Sequence, residues 1–223
     1  MKELNSYFKS SDPIKGVYGD FIVTSEDKKE VLLYRFSIIS CALFFSIGLA
    51  QWFINGSSQV WICFAGLVIS LGLSLKWIHI YLRRLHQALV LFWVIGCIGL
   101  GVITYHFGLT NVVHGLQENP KWVFLVGPIF VSLTGVGFKE FFCFRRIEAI
   151  GITIFIPIAF IGHLTELTNE KFTFALLALS ALLLLILGIR KFDLPAEADV
   201  GDKSVFDFLE SQRILNTPDV ETS

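Results

Sequence analysis

Basic side chains gather at two points in an otherwise apolar chain. Lys76, His79, Arg83 and His86 stand at offsets 0, 3, 7 and 10, which on one continuous helix is a single face, and Arg84 lies beside them. Lys139, Cys143 and Arg146 stand at offsets 0, 4 and 7, with Arg145 adjacent and Glu140 and Glu148 alongside. Cations collected at a membrane boundary suit an anionic lipid headgroup, or a phosphorylated or carboxylated small molecule. The plainer account is that long basic side chains anchor the topology and reach for water. The binding candidates are therefore Lys76, His79, Arg83, Arg84, His86, Lys139, Arg145 and Arg146.

Histidine raises a second chemistry. His79 and His86 fall near one end of their apolar runs and His106 and His163 near the other. Bis-histidine ligation of a haem or pigment needs two such residues at one depth on facing helices, whereas interfacial histidines also occur with no ligand. His106, His114, His163, Glu166 and Glu170 are the residues a metal would have to use, but no HExxH or comparable helical spacing is present. The sequence assigns neither a cofactor nor a metal ligand. It also assigns no catalytic residue, since no phosphate-binding loop and no GxSxG nucleophile context occurs. Cys41, Cys63, Cys97 and Cys143 are far apart without a CxxC and read as small hydrophobes.

The elements that must position these residues are membrane helices. Of 223 residues, 54% are hydrophobic, above the share of a soluble domain. A net charge of -1 gives no reason to expect nucleic acid as a partner. A bilayer core needs roughly 20 helical residues, and apolar runs of that order cover 31–53, 59–80, 88–105, 122–138, 147–164 and 172–189. The expected fold is all-α: six transmembrane helices in a membrane domain over 31–191, a tail over 1–30 and an acidic tail over 192–223. The first apolar run follows thirty mixed residues, so helix one is expected to act as the insertion signal. The fifth run is short and contains Pro157, which leaves a kinked or re-entrant segment open. Gly127 and Pro128 mark the candidate helix break and make spans four and five the place to look for a cavity, unless they only kink the helix; a mid-depth cavity lined by Ser132, Thr134 and Thr153 would favour a transporter.

Orientation follows from lysine and arginine. Sixteen of the 18 fall on one face, among them Lys2, Lys9, Arg35, Arg83, Arg145, Arg190 and Arg213, and only Lys121 and Lys171 on the other. The bias of basic residues toward the cytoplasm puts both termini inside. Thr24 and Ser25 are expected to cap the first helix ahead of Glu26 and Asp27. Trp52, Trp61, Trp77 and Trp122 fall near the proposed interfaces. Gly66, Ser70 and Ser74 give helix two a smooth stripe, and the Leu182 to Leu185 run marks helix six as an outer, lipid-facing helix.

Gly72, Lys76, Arg83-Arg84 and Ala88 parallel Gly135, Lys139, Arg145-Arg146 and Ala149. That similarity is either an ancient duplication or the placement of arginine pairs in short inner turns by topology alone. The C-terminal tail carries eight acids, Asp219 and Glu221 among them, against Lys203 and Arg213. Ser204 is expected to cap a helix with Val205, Phe208 and Leu209 on one face, docking on the basic turns or a partner unless the tail is solvated and disordered.

Segments quoted as they stand, Val31-Leu-Leu-Tyr-Arg35, Lys76-Trp-Ile-His-Ile-Tyr81, Phe138-Lys-Glu-Phe-Phe-Cys-Phe-Arg-Arg-Ile-Glu-Ala-Ile-Gly151, Gly162-His163-Leu164 and Asp199-Val-Gly-Asp-Lys-Ser-Val-Phe206, resemble a family of uncharacterised integral membrane proteins found mainly in cyanobacteria. The resemblance implies a photosynthetic bacterial setting, in a cell or thylakoid membrane, and brings no reaction and no functional residues. The sequence favours a non-enzymatic accessory, assembly or scaffold component whose basic cytoplasmic face binds anionic lipid or a membrane protein complex. Its alternatives are a transporter or channel for a small neutral or anionic solute, and an intramembrane haem or pigment protein. Absence of an ionisable residue near the middle of any span argues against ion coupling.

Overall fold

The structure is a computed structural model that describes residues 10–56 and 59–215. Lys2, Lys9, Ser58, Asp219 and Glu221, and the side chain of Arg213, lie outside the described residues. The chain divides into two units, one of residues 34–193 and one made from both ends of the chain, 1–33 with 194–223.

Among the described residues, six helices are long and apolar enough to cross a membrane. They are α1 (Ser25–Asn55), α2 (Val60–Trp77), α3 (Arg83–Phe107), α5 (Val123–Phe144), α6 (Ile147–Leu164) and α7 (Glu170–Arg190), with a short α4 (Val112–Glu118) between α3 and α5. Helix α1 begins ahead of its apolar run because Thr24 and Asp27 cap it reciprocally. The Asp27 amide donates to Thr24 Oγ1 at 3.2 Å, and the Thr24 amide to Asp27 Oδ2 at 2.7 Å. Helix α6 runs unbroken through Pro157, so the fifth segment is one complete helix.

Two expectations about helix breaks are corrected. Helix α5 continues through Gly127 and Pro128. Proline withholds an amide from the carbonyl four residues earlier, here that of Phe124 in the first turn, where little helix remains to be disturbed. The break lies elsewhere: α2 ends at Trp77, Ile78 is extended (φ -74, ψ 130), and α3 does not begin until Arg83. Lys76, His79, Arg83 and His86 therefore do not share one helical face.

The core of the bundle takes residues from all six long helices: Tyr34, Ile38 and Phe45 on α1, Leu67 and Leu71 on α2, Leu89 on α3, Ile129 and Leu133 on α5, Ile152 and Ile156 on α6, Leu184 and Leu187 on α7. Helix α7 is thus a core helix, with Leu184 1% exposed against 53% for Leu182. The outermost helix is α3, only 22% of whose apolar window is buried, against 33 to 50% for the others. Its contacts are specific. Gly96 and Gly99 lie against Ile129 and the Leu125 backbone of α5, and Trp93 Nε1 donates to the Val68 carbonyl of α2 at 2.9 Å over Gly72. The predicted smooth stripe on α2 is used in the same way: the Phe44 ring covers Gly66, and Ser70 and Ser74 are buried.

In the second unit, strands β1 (Ile14–Lys15) and β2 (Asp20–Phe21) form an antiparallel hairpin. Val23 and Val31 share a small core with Ala196 and Val200, flanked by Ile14 and Phe21. Helices α8 (Ala196–Val200) and α9 (Lys203–Leu215) complete it. The cap of α9 is Asp202, not Ser204: its Oδ1 accepts from the Ser204 amide at 2.9 Å and from the Ser204 hydroxyl at 2.6 Å, and its Oδ2 accepts from the Val17 amide at 2.7 Å. The Tyr18 ring stacks on Phe208 at 4.0 Å. The tail's docking surface in this unit is the chain's own N-terminal segment, strengthened by Lys203 to Asp27 at 2.9 Å and Lys28 to Glu197 at 3.2 Å.

Candidate functional site

Where α1 enters the bundle and α7 leaves it, two carboxylates are buried, and each is surrounded by cations. Glu140 lies four residues before the end of α5, about 6 Å in at 1.5 Å per residue. Its Oε1 accepts from the Tyr34 hydroxyl of α1 at 2.7 Å and from Lys139 Nζ at 3.1 Å, and its Oε2 accepts from Lys191 Nζ at 2.6 Å. The Phe144 and Tyr34 rings face both ammonium groups, at 4.6 and 5.1 Å for Lys191 and 5.2 and 5.3 Å for Lys139. Tyr34, Lys139, Glu140 and Lys191 are all buried. A carboxylate taken out of water persists only when its lone pairs are met by donors and its charge by counterions, and this cluster supplies both.

Helix α5 can stop beside that cluster because Arg145 takes a left-handed conformation (φ 51), donating its amide to the Phe141 carbonyl at 2.7 Å. The turn into α6 is then only Arg145 and Arg146 long. This brings Glu148, in the first turn of α6, to Arg190 at the end of α7. Arg190 Nη1 lies 2.9 and 3.1 Å from the two Glu148 oxygens, with Arg146 at 3.9 Å. Both acids sit where α5 and α6 reverse, and both hold α7.

The eight predicted binding residues are divided by this geometry. Lys139 is corrected: it is a buried counterion of Glu140, not a member of an open pocket. His86 is committed to the Leu75 carbonyl at 2.8 Å, a contact across the turn between α2 and α3. Lys76 is exposed beside the Trp77 ring, and His79 is half-buried. Arg83, Arg84 and Arg145 are exposed and form no ion pair among the described residues, while Arg146 leans toward Glu148. Residue-type reasoning missed Tyr34 and Lys191, and placed Glu140 and Glu148 only alongside the patch. The available signal was the presence of two acids in turns otherwise selected for bases.

At the opposite end, His163 Nε2 lies 3.3 Å from the Leu116 carbonyl and His106 stacks near Trp122 at 5.1 Å. His114 pairs with Glu118 at 3.2 Å, and among the described residues no three His, Cys, Asp or Glu side chains gather as a metal would need. The groove that does form between α5 and α6 includes Pro128, Thr134 and Pro157, but its accessible walls are carbon. It therefore offers a polar solute nothing to bind. Ser132 Oγ and Thr134 Oγ1 are buried without a hydrogen-bond partner among the described residues.

The pattern of a family described as uncharacterized integral membrane protein (DUF2301) matches residues 73–208, from the last turn of α2 into α9. No curated protein matches, and no solved structure matches.

Proposed function

Since the chain belongs to that family of uncharacterized integral membrane proteins, we propose that it is a multi-pass, non-enzymatic accessory or scaffold component that binds anionic lipid headgroups at its cytoplasmic turns. One observation carries this reading. The buried lysines at this end are taken up by Glu140, whereas Arg83 and Arg84 open α3 with no acid in its first turn. A helix N-terminus is already electropositive, so two arginines there are unfavourable until an anion joins them. Lys76 and Arg145 are the further exposed cations of these turns. The lopsided distribution of basic residues supports cytoplasmic termini. The resemblance to a mainly cyanobacterial family supports a plasma or thylakoid membrane. Anionic phospholipid or sulfolipid is then the partner of matching charge.

The test is native mass spectrometry of the protein from nanodiscs containing equal phosphatidylglycerol and phosphatidylcholine. Arg83→Gln with Arg84→Gln should remove preferential retention of the anionic lipid and leave thermal unfolding unchanged. Equal retention of both lipids by the unsubstituted protein would refute the reading, and a stoichiometric protein partner lost in the same variant would move the role of the arginines to that partner.

A further inference from the structure

A partly open cavity of about 150 Å³ lies between α1, α2, α4, α5, α6 and α7. Its walls are aromatic and aliphatic, chiefly Phe45, Trp52, Phe64, Leu67, Phe130 and Phe160. Close-packed interiors hold few voids larger than a water molecule. An apolar space of this volume accommodates a benzene-sized ring. Its polar groups are few: Gln117 of α4, His163 of α6 and Thr173 of α7 line it, the imidazole is already engaged with the Leu116 carbonyl, and the Thr173 hydroxyl with that of Thr168 at 2.9 Å. The Gln117 amide makes no hydrogen bond among the described residues, so it offers a donor and an acceptor in the lining of a mostly apolar chamber.

We propose that this cavity is a binding site for a neutral, ring-sized apolar molecule bearing one hydroxyl or carbonyl, with the ring among the phenylalanines and the polar group on Gln117. The volume sets the ring size, the absence of Asp, Glu, Lys and Arg among the described lining residues favours a neutral ligand, and the free amide selects a hydrogen-bonding substituent over bare hydrocarbon. This site is separate from the cationic turns and does not depend on them.

Trp52 in the wall supplies a readout. The probes are 4-iodophenol and iodobenzene, matched rings with and without a hydroxyl, whose iodine quenches indole fluorescence on contact. In the purified full-length protein, 4-iodophenol should quench saturably, and Trp52→Phe should remove the saturable part. Iodobenzene should bind at least several-fold more weakly, and Gln117→Leu should bring the two probes to parity. Leu67→Phe, which fills the chamber, should abolish saturable quenching by both. Gln117 is half-buried on a short helix, so its variant is informative even if the Leu67 variant does not fold. Quenching that rises linearly without saturation overturns the site. A difference between the probes that survives Gln117→Leu overturns the assigned polar contact. Recovery of a phospholipid that neither probe displaces means an acyl chain occupies the chamber and overturns the ring-ligand assignment.

Discussion

Glu140 accepts from two ammonium groups and a phenol at a depth where water cannot replace any of them, so its charge and not its volume holds the cluster together. Glu140→Gln keeps the shape and removes the counterion of Lys139 and Lys191. Breaking a buried pair by neutralising one member costs about 3–5 kcal/mol, and the variant should show a correspondingly lower melting temperature in detergent. Tyr34→Phe loses a single hydrogen bond to a charged group, worth about 1.5–3 kcal/mol. It should fall between the wild type and Glu140→Gln; equal melting of all three proteins would show that the cluster does not hold the helices. Only part of this site was legible in the sequence. Lys139 and Glu140 are neighbours, but Lys191 is 51 residues away and Tyr34 is 106 away. Their convergence depends on how α1 and α7 pack against α5, which no spacing rule encodes.

At the scale of helices, a close approach of backbones separates glycines that look alike. Gly99 and Gly101 are two residues apart on α3, yet a Cβ on Gly99 would run into the Leu125 backbone of α5, while one on Gly101 would meet nothing within 4 Å. Gly99→Ala should therefore destabilise by about 1–3 kcal/mol through overpacking. Gly101→Ala should stabilise by up to about 1 kcal/mol through helix propensity alone. Thermal unfolding of the two single variants decides the matter, and destabilisation of similar size in both would place the α3–α5 contact elsewhere. Six long helices were readable because the bilayer demands length and apolarity, and both are local. Interruptions were not readable in the same way. Pro128 was the conspicuous breaker and breaks nothing, while the segment from Ile78 to Leu82 has neither Gly nor Pro and is where the helix stops. There the His86 ring takes the Leu75 carbonyl near the end of α2. That contact forms only once α3 has turned back, so the stop is tertiary in origin.

For the molecule as a whole, the unit built from both chain ends constrains the topology. Val17 donates to Asp202 and Tyr18 stacks on Phe208, so the segments before α1 and after α7 lie on one side of the membrane. An even number of crossings satisfies this, and the six long apolar helices among the described residues supply it; the bias of basic residues is the ground for proposing that this side is cytoplasmic. With the native cysteines replaced by alanine, a cysteine at Glu166, in the turn between α6 and α7, should react with an impermeant maleimide in intact cells, and one at Asp207 only after lysis. The reverse pattern would invert the orientation while preserving the even count. Asp202 also makes this unit sensitive to acid. The Ser204 hydroxyl and the Val17 amide hold its carboxyl below its ordinary value of 3.8. A carboxyl whose pKa is lower in the closed than in the open form contributes stability fully above about pH 3.8 and loses it as pH falls further, through the closed-state value. The Val17 amide, which donates to that carboxylate, should therefore be protected from hydrogen exchange at neutral pH and lose protection, beyond the intrinsic change in exchange rate, below about pH 3.8. Asp202→Asn removes the titrating group: its Val17 amide should be less protected at pH 7 and show no further loss on acidification. Unchanged protection at pH 7 in that variant would mean that the hairpin stays on α9 through Tyr18 and Phe208 alone.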